Sequence, residues 1–192
     1  MIIVLTGGIG SGKSVVSRLL RVMGYPVYDC DSRAKTLMNT DPQLRSRLTE
    51  LLGEDTYQTA DGQLNRSFVA AQIFGNPELL LKINAIVHPA VAADIEKEAS
   101  RSPLLFVETA IYYESGFSGL IPADRVWCIA APLELRIRRA MQRDRSDEAS
   151  VRALIGSQMN QEDKIQKADA TVWNDSTHSV IEQVNALLEQ LR

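Results

Sequence analysis

A chain of 192 residues with 45% hydrophobic content can build one compact domain with a sizeable core, but not a second large one. Its 21 basic and 24 acidic side chains leave a net charge of -3, which excludes a broad positive field for duplex nucleic acid. Cys30 and Cys128 are too few for a disulfide framework, no apolar run is long enough to span a bilayer, and no signal peptide precedes the first apolar run, so the expected setting is the reducing cytoplasm.

Residues 2–5 are apolar and read as a buried strand, and residues 15–23 carry Val16, Leu19, Leu20 and Met23 at helical spacing before Gly24. Between them, Gly7-Gly8-Ile9-Gly10-Ser11-Gly12-Lys13-Ser14 fits G-x-x-x-x-G-K-S. In a strand-loop-helix context this is a phosphate-binding loop. The glycines let consecutive backbone N–H groups point into one concavity, Lys13 reaches the outer phosphates, and the Ser14 hydroxyl can ligate the accompanying magnesium. The chain is therefore expected to hold a nucleoside triphosphate.

Residues 27–29 form the second predicted strand and lead into Asp29, Cys30 and Asp31. Residues two apart in an extended chain share a face, so Asp29 and Asp31 can both point toward the phosphate loop. Asp31 is a candidate base for a hydroxyl acceptor, and it can equally cap the helix starting near Ser32. Residues 32–102 then read as helices without strands: Asp41-Pro42 and Asn76-Pro77 each pair an N-cap with proline at the first helical position, while Asp61-Gly62 and a break at His88-Pro89 divide the rest. Such an insertion is a candidate wall for a second substrate. His88 can simply shape the chain before Pro89.

Three more strands are predicted at residues 104–107, 126–130 and 170–173. Strands alternating with helices imply an α/β fold with a five-stranded parallel sheet covered on both faces, and ligands gather beyond the strands' carboxyl ends. Arg136, Arg139 and Arg143 fall at i, i+3 and i+7 after Pro132, so they share a helical face. That face suits a lid over triphosphate, the alternative being a solvated charged helix balanced by Glu134, Asp144, Asp147 and Glu148. The final helix, about 179–191, should pack Val180, Val184, Leu187, Leu188 and Leu191 on the sheet. Trp127, Trp173, Tyr112 and Tyr113 read as core, and His178 has no evident role.

Together, the string Leu5 to Ser14, Asp29-Cys30-Asp31, His88-Pro89, Glu114-Ser115-Gly116, Arg139 with Arg143-Asp144, Gln158, and Ala168-Asp169 with Asn174 resemble the dephospho-CoA kinase family. The landmarks run in the family's order over nearly the whole chain. The resemblance implies a P-loop NTPase three-layer core at 1–31 and 103–192, with a helical lid at about 133–165 and a helical substrate-binding insertion at 32–102. It also implies ATP-dependent phosphorylation, with Mg2+, of the ribose 3'-hydroxyl of dephospho-coenzyme A. Partners would be ATP and dephospho-CoA, with no nucleic acid and no membrane, in a monomer or small homo-oligomer.

Carried onto this sequence, the resemblance implies ATP contacts from Gly8, Ile9, Gly10, Ser11, Gly12, Lys13, Ser14, Val15, Arg143 and Asn174, the last placed near the adenine. Lys13, Asp31 and Arg139 would be catalytic, and Asp31, Arg66, His88 and Glu114 would meet the acceptor. Val15 stands where threonine is usual, Cys30 where alanine is usual, and Glu108 is an acid where the family has an apolar strand end. Glu108 is thus a second candidate for the metal, through a bound water, or a partner for a lid arginine. The alternatives are another small-molecule kinase with the same loop and a nucleotide-dependent switch. Against the switch, the sequence lacks the guanine-reading Asn-Lys-x-Asp.

Overall fold

The computed structural model describes residues 1–58, 60–114 and 116–191. In chain order the elements are β1 (Ile2–Thr6), α1 (Lys13–Val22), β2 (Val27–Asp29), α2 (Cys30–Thr40), α3 (Pro42–Leu52), α4 (Arg66–Ile73), α5 (Pro77–Ala99), β3 (Leu105–Glu108), α6 (Phe117–Leu120), β4 (Arg125–Ala130), α7 (Leu133–Asp144), α8 (Glu148–Gly156), α9 (Gln161–Lys167), β5 (Ala170–Trp173) and α10 (Val180–Glu189). Two compact units result, one comprising Met1–Asp29 with Glu98–Arg192 and the other Cys30–Lys97.

The first unit is built on a sheet of order β2-β3-β1-β4-β5, parallel at every pairing. The expected α/β class and five-stranded parallel sheet are therefore observed, with the strands within a residue or so of their predicted spans. β1 is central, and its Ile3, Val4 and Leu5 have no exposed surface, as a strand covered on both faces requires. On one face Ile3 and Leu5 join Val16 and Leu20 of α1 and Val184 and Leu188 of α10 in one cluster. α10 packs by the predicted stripe, and the Ser179 hydroxyl accepts from the Glu182 N–H to start it. Register sets Leu5 opposite Glu108, Glu108 opposite Asp29, and Thr6 opposite Cys128, so these residues share the sheet's carboxyl end.

The second unit is helical. Asp41 caps α3, its Oδ1 accepting from the Gln43 and Leu44 N–H groups at 2.9 and 3.0 Å, with Pro42 at the first helical position. Asn76 opens α5 in the same way, accepting from the Leu79 N–H at 3.0 Å. The turn at Asp61-Gly62 is closed by an antiparallel bridge, Tyr57 to Leu64.

The expected break at His88-Pro89 does not occur: α5 runs through Pro89 to Ala99. Proline inside a helix sacrifices one hydrogen bond and costs about 3 kcal/mol. Here Ile83 and Val87 before it and Val91 and Ile95 after it are all buried on one stripe, and their packing outweighs the lost bond.

Candidate active site

The phosphate loop leaves β1 at Thr6 and enters α1 at Lys13. Gly10 and Gly12 have φ of 74° and 96°, a left-handed curl open to glycine at little cost. The Ser11 N–H donates to the Gly8 carbonyl at 3.2 Å, and the Val15 N–H to the Gly12 carbonyl at 2.9 Å, which closes the curl into the helix. Lys13 Nζ folds back to the Gly7 and Gly8 carbonyls at 2.8 and 3.3 Å, so the ammonium stands over the concavity. Ser14 and Val15 are exposed on the first turn of α1.

Side chains of α7 and of the turn before α9 grip this loop directly. Ile9 is held at both backbone groups: its N–H donates to Gln158 Oε1 at 2.9 Å, and its carbonyl accepts from Arg136 Nε at 3.0 Å. Gln161 Oε1 accepts from the Ala131 N–H at 3.1 Å and from Arg136 Nη1 at 3.5 Å. Arg136 is only 5% exposed, so it does not share a solvent-facing stripe with Arg139 and Arg143 as the spacing suggests. Burial pulls its pKa below the ordinary arginine value, with Glu162 and Cys128 acting in the other direction. A sequence signal exists in hindsight: Arg136 is next to Ile137 and four residues before Ala140, both buried, so it belongs to the apolar face of α7.

The other two arginines separate. Arg139 Nη1 donates to the Asn174 carbonyl at 2.9 Å, and Asn174 Nδ2 donates to the Ser11 carbonyl at 2.9 Å. Arg139 and Asn174 are thereby joined to the phosphate loop in one chain of contacts. Arg143 is exposed and paired with Asp144 through two bonds of 2.7 Å, which raises its pKa. The Asn174 backbone N–H continues the sheet ladder by donating to the Ala130 carbonyl at 2.8 Å.

Lys164, fully buried, pairs with the part-buried Glu114. Lys164 has no exposed surface, and its Nζ lies 2.5 Å from Glu114 Oε1 and donates to the Ala110 carbonyl at 2.8 Å. Glu114 Oε1 also accepts from the Met159 N–H at 3.0 Å, while its Oε2 is buried with no partner among the described residues. Glu114, expected from the resemblance to meet the acceptor, here fastens the segment after β3 to Met159 and to Lys164 of α9. Ser115, beside it, lies outside the described residues. Nothing in the local sequence of α9 marks Lys164 or Gln161 for these roles.

Cys128 of β4 feels the charges of Lys164, Lys13 and Arg136. Burial pushes its thiol up to about 11 against the pull of those three cations. Glu108, half-buried, ends β3 beside Leu5 and Asp29.

In the helical unit, Asp31 is exposed on the first turn of α2. Arg66 opens α4 behind its Asn65 cap and lines a cavity of about 390 Å³ with Asn39, Gln58, Asp61 and Gln63. His88 is half-buried on α5, and burial lowers its pKa below the ordinary 6.5. Among the described residues no cluster of three His, Cys, Asp or Glu could hold a metal, and no helix is long and apolar enough to cross a membrane.

This chain is similar to known proteins over its full length. A dephospho-CoA kinase from Porphyromonas gingivalis is 44% identical over 192 residues, 98% of this chain and 93% of that protein. The crystal structure of TT1252 from Thermus thermophilus superposes with a TM-score of 0.85 at 35% identity, covering 100% of this chain and 98% of that one. The dephospho-CoA kinase from Campylobacter jejuni, at 21% identity and a TM-score of 0.70, covers 99% of this chain and 96% of its own, and shares the fold. A sequence model of the dephospho-CoA kinase family matches residues 1–179, and the chain belongs to that family.

Proposed function

We propose that the protein transfers the terminal phosphoryl group of ATP to the ribose 3'-hydroxyl of dephospho-coenzyme A, giving coenzyme A and ADP. The observation that carries this reading is the curled loop with Lys13 over its concavity, in a chain belonging to the dephospho-CoA kinase family. Among the described residues no feature favours a nucleoside or another small alcohol as acceptor.

In this reading residues 1–31 and 103–192 bind ATP, and 32–102 receive the acceptor through Arg66 and His88. Lys13 exchanges the Gly7 and Gly8 carbonyls for phosphate oxygens, an exchange that its flexible stem permits. Asp31 orients the 3'-hydroxyl and accepts its proton as the new O–P bond forms and the bond to ADP breaks. Arg139, held by Asn174, answers charge on the transferring group. Arg143 exchanges Asp144 for a phosphate as the lid region closes.

The residues fit a magnesium ion that arrives with the nucleotide. Their donors are hard oxygens, the Ser14 hydroxyl and the Glu108 carboxylate, too few among the described residues for a metal site independent of phosphate. When bound, the ion offsets phosphate charge. A monomer or small homo-oligomer in the cytoplasm, with no nucleic-acid or membrane partner, completes the reading.

The test is to incubate the purified protein with Mg-ATP and dephospho-coenzyme A and to look for coenzyme A by mass. Phosphorylation of a nucleoside with no coenzyme A formed would overturn the acceptor. ATP turnover without any phosphorylated product would overturn the transfer.

A further inference from the structure

Arg136 is buried, yet none of its nitrogens has a carboxylate within 4.0 Å among the described residues. A guanidinium in that state is costly unless its hydrogen bonds are chosen well. The two it makes go to the Ile9 carbonyl at the tip of the phosphate loop and to Gln161. Its backbone abuts the same loop: a Cβ on Gly10 would overlap the Arg136 carbonyl and lie 2.8 Å from its Cα.

Gly8 is the second observation. Its φ lies outside the left-handed region, so its backbone would accept any side chain. What a Cβ there would meet is the Arg136 guanidinium, with Cζ at 2.8 Å and Nη2 closer still. The end of an arginine would ordinarily swing aside. This one is pinned through Nε, and swinging it releases Ile9.

We propose that Arg136 is a positioning residue for phosphoryl transfer: its buried guanidinium fixes the Ile9 carbonyl and thereby the pitch of the phosphate loop, and Gly8 is glycine to make room for it. The inference rests on the kinase reading. It assigns Gly8 a steric role in place of a direct contact with phosphate.

The experiment is a double-mutant cycle of Gly8→Ala and Arg136→Gln, with Arg136→Lys as a third variant. Steady-state kinetics give KM for ATP and for the acceptor, and calorimetry gives the Kd of Mg-ADP. Each single change should weaken nucleotide binding about tenfold or more, the loss expected when a charge-assisted hydrogen bond to a carbonyl is removed or displaced. KM for the acceptor should change less than twofold. The double variant should be no worse than Arg136→Gln alone, because the obstacle to the new methyl is gone. Arg136→Lys, which keeps the charge without the planar fork, should recover only part of the affinity.

Multiplying effects in the double variant, or an equal rise in both KM values, would overturn the proposal. If a single variant melts too low for kinetics, the same cycle read on thermal stability decides, since steric coupling predicts that Gly8→Ala costs nothing in the Arg136→Gln background. The Mg-ADP arm needs no acceptor, so an error in the acceptor assignment would show in the kinetics alone.

Discussion

Asn174 Nδ2 donates to the Ser11 carbonyl at 2.9 Å and occupies the space a Cβ on Gly12 would need. The residue after β5 is thus a wall of the phosphate loop. Asn174→Ala leaves a buried carbonyl without its donor, a loss of about 1–3 kcal/mol. In a chain of this size that lowers the melting temperature by several degrees, about 2–4 °C per kcal/mol. Gly12→Ala meets both the amide and a left-handed φ of 96°, so it should lose Mg-ADP binding in calorimetry outright.

Asp31→Asn keeps the shape of the side chain and removes its capacity to take a proton. Turnover should fall by about 10²–10⁴-fold, the usual contribution of a positioned base, with KM for ATP within about twofold of the wild type. Steady-state kinetics check this, and near-normal turnover would remove the base role.

Lys164→Met strands the part-buried Glu114 carboxylate, at a cost below the about 3–5 kcal/mol of breaking a fully buried pair. Adding Glu114→Gln should restore a large part of that loss, because no uncompensated charge then remains. Urea denaturation of the two variants measures the difference.

Burial holds the His88 imidazole below its ordinary pKa, so below pH 6.5 the unfolded chain binds more protons than the folded one. Its contribution to stability is therefore complete above about pH 6.5 and is lost as pH falls through the depressed folded value. Melting curves between pH 7 and 5 should show a decline that His88→Gln makes shallower.

Glu108→Gln tests the carboxylate at the end of β3. If it holds a water of the metal, the magnesium concentration for half-maximal activity should rise several-fold, with other kinetic constants little changed. An unchanged magnesium dependence would leave Glu108 to its neighbours in the sheet.

The sheet and the loop were legible because their signals are local. Apolar runs mark the strands, and eight consecutive residues carry the phosphate motif. Asp41 and Asn76 announced their caps by the same logic, each acting two or three residues away. Pro89 misled because the local rule is overridden by packing on both sides of it. The carbonyl contacts of Arg136 and Lys164 were beyond reach for another reason: they lie 127 and 54 residues distant, and any residue supplies a carbonyl. Such bonds leave no trace in residue type at the accepting end.

The central place of β1 has a consequence for how the protein comes apart. Its amides are shielded by partners on both flanks, β3 and β4, so the strand opens only when the whole sheet does. The nucleotide cradle springs from that strand and should persist until the final cooperative transition. Ligand added to the protein then shifts the global unfolding midpoint itself, and hydrogen exchange in β1 slows in proportion to nucleotide occupancy.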